Sequence, residues 1–430
     1  MTILTKYPKI LFVHMTRVYQ NDAVNLMLRN LFGDWPKENL AQIYTGAYKG
    51  TEDFCGYYFH IGVKERRLGW LFNILKPVGM GTLLGYSLDR GNQREKVHIS
   101  RVQRWIANMV SRFVASGYWE LVFNVHLSEE LLEFLRKFEP EILYTQGYSL
   151  GLTSLSLKIA ELFQIPICYF PMDDWHSSLY SGSRLHHRVE EIATRLARNA
   201  SIRFALGPKM AETLTSRYNV LFECLYHADS PDRFNVPKSP KNRDEIIIGY
   251  AGSLYLGRSS AIQDLLDACV LINYPFKIEV YSENIPPDVP PELIDSPYVS
   301  FLPLPDHNLL PTTLANCDIL FLPESFEKKY KSAIELSLST KAHLYMFSRR
   351  PIIVYAPPWS GTVDYAKRFG WGIVVDQRNI HLLAEGIKMA LSSQAKELVE
   401  TAYRNALLNH DIKKLRAKVQ KKITAVVWGN

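Results

Sequence analysis

Cysteine is scarce in this 430-residue sequence: Cys55, Cys168, Cys224, Cys269 and Cys317 are widely scattered and include no CxxC pair. An odd, dispersed set excludes a disulfide scaffold, offers no structural zinc site and points to a reducing compartment. No apolar run approaches the ~18 residues that a membrane-spanning helix requires. The opening stretch MTILTKYPKILFVH has too short an apolar segment for a signal peptide, lacks a small-residue cleavage site, and reads as an immediate first strand. There is no internal repeat and no low-complexity segment. With 47% hydrophobic and 22% charged residues, the composition is neither disordered nor collagen-like. The length suits two or three domains with full-sized cores, in a protein that is soluble or rests on a surface.

Charge is present but unevenly placed. The whole chain carries a net +7, and residues 60–112 alone hold ten bases against three acids. The last twenty residues add six bases against Asp411, which leaves the remainder mildly acidic. In the first basic region a helix expected over 99–116 puts Val102, Trp105, Ile106, Met109, Val110, Phe113 and Val114 on one face, flanked by Arg101, Arg104 and Arg112. Trp70, Leu71 and Phe72 follow Arg66 and Arg67. Such a region suits either a core-facing helix with solvated arginines or contact with anionic lipid headgroups. No motif accompanies it that would point to nucleic acid.

Short apolar runs alternate with segments of helical period through most of the chain. Strands are expected at 9–14, 141–146, 166–170 and 202–206, with helices over 127–138, 150–164 and 183–199. The polar stretch 228–244 has three prolines and no period, as an interdomain linker would. Beyond it strands recur at 245–253, 277–282, 298–304, 318–323, 351–357 and 372–376, with helices over 260–272, 360–369 and 379–392. Apolar runs of this length indicate parallel strands covered on both faces. The expected class is α/β: an N-terminal Rossmann-like domain over 1–235, a second doubly wound domain over 244–410, and a terminal helix over 411–430. In doubly wound sheets ligands bind beyond the carboxyl ends of the strands, so residues there carry the chemistry.

Three strand ends stand out. Gly249-Tyr250-Ala251-Gly252-Ser253 opens the second domain, with Arg258 shortly after. Glycines there either make a turn or let the backbone approach a ligand, and an arginine can pair a diphosphate bidentately. Ser339-Thr340-Lys341 precedes a short helical stretch; Ser339 or Thr340 suits an N-cap, and Lys341 adds a positive charge. Met172-Asp173-Asp174-Trp175-His176 follows the strand at 166–170. Adjacent acids point in different directions, so they do not suit a glycosidase pair. They read as a catalytic acid, a helix N-cap or, without a supporting ligand cluster, a metal site. His14 closes the first strand, with Thr16, Arg17 and Asn21 in the loop beyond.

GYAGSL, a strand ending in DILFLP, and STK…RRPIIVYAP followed by WGIVVD together resemble the donor half of a GT-B glycosyltransferase, specifically family 4 of the retaining nucleotide-sugar enzymes. The resemblance covers about 245–392 and extends more loosely to the N-terminal half through ICYFPMDDW. It implies two Rossmann-like domains facing a central cleft, with a terminal helix packing back on the first. It also implies a nucleotide-diphosphate-sugar co-substrate, a glycan or lipid-linked acceptor, no cofactor and no metal. By the same resemblance Gly252 and Ser253 lie against the diphosphate, Arg258 and Lys341 neutralise it, and the helix start at Ser339 and Thr340 donates backbone N–H groups. Leu302 and Pro303 stand where the nucleobase is held, and Glu327 where the first acid of a Glu-x7-Glu motif meets the donor sugar. Asp173 stands at the strand end near the reacting sugar. His14, Arg17, Asn21 and Asp174 fall on the acceptor side.

The sequence departs from the family at two places. Leu344 occupies the position of the second acid, which binds ribose, and Arg349 that of a glycine. Glu335 completes a literal Glu-x7-Glu with Glu327 but lies nine residues out of register. Exopolysaccharide or cell-surface glycan synthesis is the expected setting, in the cytoplasm and peripheral on the inner membrane face through residues 60–112. The alternatives are a catalytically silent scaffold of the same fold, or a nucleotide-sugar epimerase or hydrolase.

Overall fold

The computed structural model describes residues 7–18, 23–46, 53–68, 109, 112–113, 116–122, 124–234 and 244–429. The chain divides into two compact units: Met1–Ala205 with Leu214–Glu223 and Arg416–Asn430, and Leu206–Thr213 with Cys224–Leu415. The sequence places its domain boundary between 235 and 244.

The first sheet, among the described residues, has seven strands: β1 (Ile10–His14), β2 (Leu40–Tyr44), β3 (Tyr57–His60), β4 (Ile142–Thr145), β5 (Ile167–Tyr169), β6 (Ile202–Leu206) and β7 (Glu223–Leu225). Their order is β3-β2-β1-β4-β5-β6-β7, and the pairs from β3 through β6 are parallel. The second sheet has six: β8 (Ile246–Ala251), β9 (Phe276–Tyr281), β10 (Val299–Leu302), β11 (Ile319–Pro323), β12 (Ile352–Tyr355) and β13 (Ile373–Val375). Its order is β10-β9-β8-β11-β12-β13, with every neighbouring pair parallel.

The central strands of the second sheet explain their sequences. Every residue of β8, β11 and β12 is buried, as expected where helices cover both faces. Ile248, Phe321 and Ile353 share a core with Ile262 and Leu265 of the Arg258–Leu271 helix and Leu383 and Ile387 of the Ile380–Leu391 helix. Fully burying one such side chain is worth about 1.5–3 kcal/mol, so this core dominates the unit's cohesion. In both sheets the strand order reverses beside the first strand, between β1 and β4 and between β8 and β11. Those two points are where a doubly wound sheet opens a crevice for ligands.

The stretch read as a linker is partly built in. Asp229 is buried, pairs with Asp411 in a parallel bridge, and its carboxylate takes the Arg233 guanidinium. A short 3-10 turn, Pro231–Phe234, follows, and 235–243 lie outside the described residues. Nearby in the second unit, the His227, His343 and His410 rings stack in series, with centroids 6.1 and 5.7 Å apart. All three are buried.

The terminal helix runs Ile412–Trp428, and its basic residues are largely engaged. Arg416 donates to the Asn30 carbonyl and to Asp34, each at 2.5 Å, and Lys422 pairs with Glu223. Trp428 Nε1 donates to Glu141 at 3.0 Å. Most of the basic region at 60–112, including the aromatic residues at 70–72 and much of the expected 99–116 helix, lies outside the described residues. Of its described bases, Arg66 is buried rather than solvated, and Lys64 pairs with Glu130 at 2.8 Å.

Candidate functional site

In the first unit, His14 ends β1 at the point where the strand order reverses. Its Nε2 lies 2.7 Å from Gln146 Oε1, one residue past β4, and its Nδ1 2.9 Å from the Thr16 carbonyl. The ring is thereby fixed between two strand ends. Arg17 stacks 3.6 Å from the centroid of the Tyr58 ring and pairs with Asp53. Asn21, assigned to the same loop, lies outside the described residues.

The adjacent acids separate into two roles. Asp174 receives Arg217 through both carboxylate oxygens, at 2.7 and 3.0 Å, and also contacts His176 at 2.8 Å and Ser177 at 2.8 Å. Burial alone would raise its carboxyl. The bonds from His176 and Arg217 outweigh that and hold it well below the usual range. It stands at the N-cap of the short Trp175–Ser178 helix without a side-chain cap bond. Asp173, in contrast, is an exposed residue. Partial burial of its carboxyl raises the pKa, partly offset by the Tyr148 hydroxyl. A solvent-reachable acid with a raised pKa is suited to exchanging protons with a ligand.

The second unit assembles a cationic cluster at its own reversal point. Gly252 follows β8, Glu324 follows β11, and Arg258 opens the Arg258–Leu271 helix. Gly252 adopts φ +147°, and a Cβ placed there would stand 2.0 Å from Lys341 Cε. The lysine side chain therefore runs directly across the glycine, which only a residue without Cβ permits. The Lys341 ammonium sits 5.5 Å over the Tyr250 ring. Burial and, next, repulsion by Arg258 lower its pKa to about 7, with Glu324 opposing them. Burial thus brings the ammonium toward losing its proton near neutral pH, and an arriving anion would favour its charged form.

Arg258 is held from several sides. Its Nε and one terminal nitrogen donate to Glu324 Oε2 at 3.0 and 2.8 Å, and the other donates to the Tyr255 carbonyl at 3.3 Å. Burial would lower its pKa, and the Glu324 carboxylate overrides that. Glu324 is 4% exposed and was not among the residues singled out from the sequence. The available signal was its position: an acid immediately after a wholly apolar strand at the sheet's reversal.

The remaining assigned residues are distributed around this cluster. Glu327 lies against Gly257, where a Cβ would meet its Oε1 at 2.9 Å, but pairs with Lys329 at 2.7 Å. Glu335 pairs with Lys331. Ser253 is exposed, and its carbonyl accepts the Tyr250 hydroxyl. Leu302 ends β10, the outermost strand on that side, and Pro303 beyond it is exposed. The expected N-cap is corrected: the Ala342–Phe347 helix is capped by Lys341 without a side-chain bond, not by Ser339 or Thr340. Ser339 is buried two residues before that cap, and its backbone N–H donates to Thr362 Oγ1 at 3.0 Å. Leu344 lies within that helix. Among the described residues no group of His, Cys, Asp and Glu is placed to hold a metal.

No family model and no curated protein matches the sequence. Solved structures do match. The chain is similar to HepE of Anabaena in complex with UDP, with a TM-score of 0.62 at 13% identity over 97% of this chain and 100% of that one. It is similar to sucrose-phosphate synthase from Thermosynechococcus elongatus, with a TM-score of 0.60 at 12% identity over 98% and 99% of the two chains. It is also similar to WaaG, a glycosyltransferase involved in lipopolysaccharide biosynthesis, with a TM-score of 0.57 at 12% identity over 96% and 99%. At such identities the likeness is one of fold. The chain has the α/β, GT-B fold that these glycosyltransferases share.

Proposed function

We propose that the protein is a retaining glycosyltransferase, moving a sugar from a nucleotide-diphosphate-sugar to a glycan or lipid-linked acceptor. The observation that carries this reading is the Gly252–Arg258–Lys341 cluster at the reversal point of the second sheet. Breaking the bond between the sugar's anomeric carbon and the diphosphate leaves negative charge on the leaving phosphate. Arg258 and a newly protonated Lys341 would stabilise that charge as it develops, which is the larger part of what such a reaction needs. The acceptor hydroxyl bonds to the anomeric carbon and its proton passes to the leaving phosphate, so the reading needs neither a separate strong base nor a metal. Asp173 is assigned to the sugar or acceptor hydroxyls, and Glu327 to the donor sugar, by resemblance alone.

HepE has been crystallised with UDP and with UDP-glucose, so UDP-sugars are the first donors to test. Arg258→Ala and Lys341→Ala are each expected to lower turnover at least a hundredfold on a proven donor and acceptor. Unchanged turnover would sink the assignment. The competing reading, a catalytically silent scaffold, is favoured by Leu344 at the ribose-acid position. Calorimetric titration with UDP- and GDP-sugars separates the two, since binding to none of them argues for the scaffold. Release of free sugar without an acceptor would instead indicate a hydrolase.

We further propose a cytoplasmic setting in polysaccharide synthesis, with residues 60–112 touching the inner membrane face. Among the described residues no helix is long and apolar enough to cross a membrane. Flotation with anionic liposomes at low salt tests the contact, and protein remaining at the bottom of the gradient counts against it.

A further inference from the structure

The cationic cluster carries its own anion. Glu324 receives two of the Arg258 donors on a single carboxylate oxygen, deep in the protein, while among the described residues the Lys341 ammonium makes no hydrogen bond or ion pair. The Arg258 guanidinium is therefore already paired with a buried carboxylate. A carboxylate and a phosphate oxygen compete for the same guanidinium donors, with bonds of the same charge-assisted kind. The turn bearing Arg258 is also constrained, because Leu256 and Gly257 before it both have left-handed φ, +61° and +71°. A leucine holds that conformation only when its surroundings enforce it.

Resting on the donor-site reading above, we propose that Glu324 is an internal competitor for the diphosphate. It occupies Arg258 in the empty site, yields it when a diphosphate binds, and reclaims it to drive the diphosphate product off. A site built only for capture would place no anion here, because a buried negative charge close to the ligand opposes the ligand. A transferase must also release a product that carries more negative charge at its terminal phosphate than the substrate did. Glu324 supplies a replacement partner for Arg258, so that release does not leave a buried unpaired guanidinium.

The sign of one substitution separates this role from a merely structural one. Glu324→Gln keeps the side-chain volume and one acceptor while removing the charge. It is expected to tighten binding of inorganic pyrophosphate at least tenfold by calorimetry and to slow its release by stopped flow. Glu324→Asp retains a carboxylate on a shorter arm and is expected to fall between the two, and it serves if the glutamine variant melts early. If Glu324 only positions Arg258, both variants weaken binding. Weaker or unchanged affinity therefore overturns the proposal, as does failure of pyrophosphate to bind any of the three proteins. Pyrophosphate needs no nucleoside, so the two readings fail separately. Tightening with no nucleotide-sugar turnover upholds the competitor and removes the transferase. Turnover without tightening does the reverse.

Discussion

Gly252 and Lys341 occupy one another's space: a methyl group at position 252 would lie 2.0 Å from Lys341 Cε and 3.0 Å from its Nζ. Gly252→Ala must therefore displace the lysine as well as strain a backbone at φ +147°. The expected cost is about 1–3 kcal/mol in stability, together with a loss of diphosphate affinity comparable to that of Lys341→Ala. Parallel calorimetry on the two variants checks this. Affinity retained in Gly252→Ala would mean that the ammonium does not act from its observed position.

Lys341 makes binding depend on pH. Its pKa is about 7 in the free site. Above that value the empty site is uncharged at Lys341 and must take up a proton with the anion. Affinity for a diphosphate should then fall by up to about tenfold per pH unit. Below pH 6 the dependence on this group vanishes. Lys341→Arg, which stays charged, should flatten the profile between pH 7 and 9. A profile equally steep in both proteins would assign the dependence to another group.

The two adjacent acids should respond differently to loss of charge. Asp174→Asn removes an ion pair on Arg217 that is mostly shielded from solvent, and is expected to cost about 2–3 kcal/mol. Asp173→Asn, at an exposed residue with no ion pair among the described residues, should stay within about 0.5 kcal/mol while lowering turnover if Asp173 meets the substrate. Urea denaturation beside a turnover assay separates stability from function. Equal destabilisation would contradict the division of roles.

The imidazole stack makes the second unit sensitive to acid. Burial, the main cause, lowers His227 to about 3 and His410 to about 4, and places His343 well below its ordinary value. The unfolded chain protonates these rings below about pH 6.5, whereas in the folded chain His227 and His410 do so only near pH 3–4 and His343 well below its ordinary value. Their contribution is therefore complete above pH 6.5 and is lost as pH falls through that window. Three such rings give at most about 4 kcal/mol per pH unit. His343→Leu removes one, and a ring whose Nδ1 has no hydrogen-bond partner. It should reduce the slope of stability against pH by about a third, read from denaturation midpoints between pH 7 and 5.

The fold was legible wherever a strand is buried on both sides. IRFAL coincides with β6, and DILFLP, PIIVYAP and GIVVD enclose β11, β12 and β13 within two residues. Three strands escaped. LAQIY, in β2, carries the buried amide of Gln42 in mid-strand, which breaks the apolar run. YYFH, in β3, is an edge strand exposed at both ends, and β7 has only three residues at the other edge. Of the cluster, Gly252, Arg258 and Lys341 were visible because their residue types are unusual at strand ends. Glu324 was not, since an acid after a strand reads as solvated until the fold turns it inward onto Arg258. The cap-like Ser339-Thr340 misled in a similar way, because the helix begins only at Ala342 and Lys341 stands at its cap.

Because Arg416–Asn430 belongs to the first unit and Leu206–Thr213 to the second, neither unit is a continuous piece of chain. A fragment ending at Glu223 would lack the partners that Arg416, Lys422 and Trp428 bring to Asn30, Asp34, Glu223 and Glu141. Exchanging either unit for that of another protein of this fold thus takes four junctions in this molecule. A single cut at the apparent linker would exchange neither half intact.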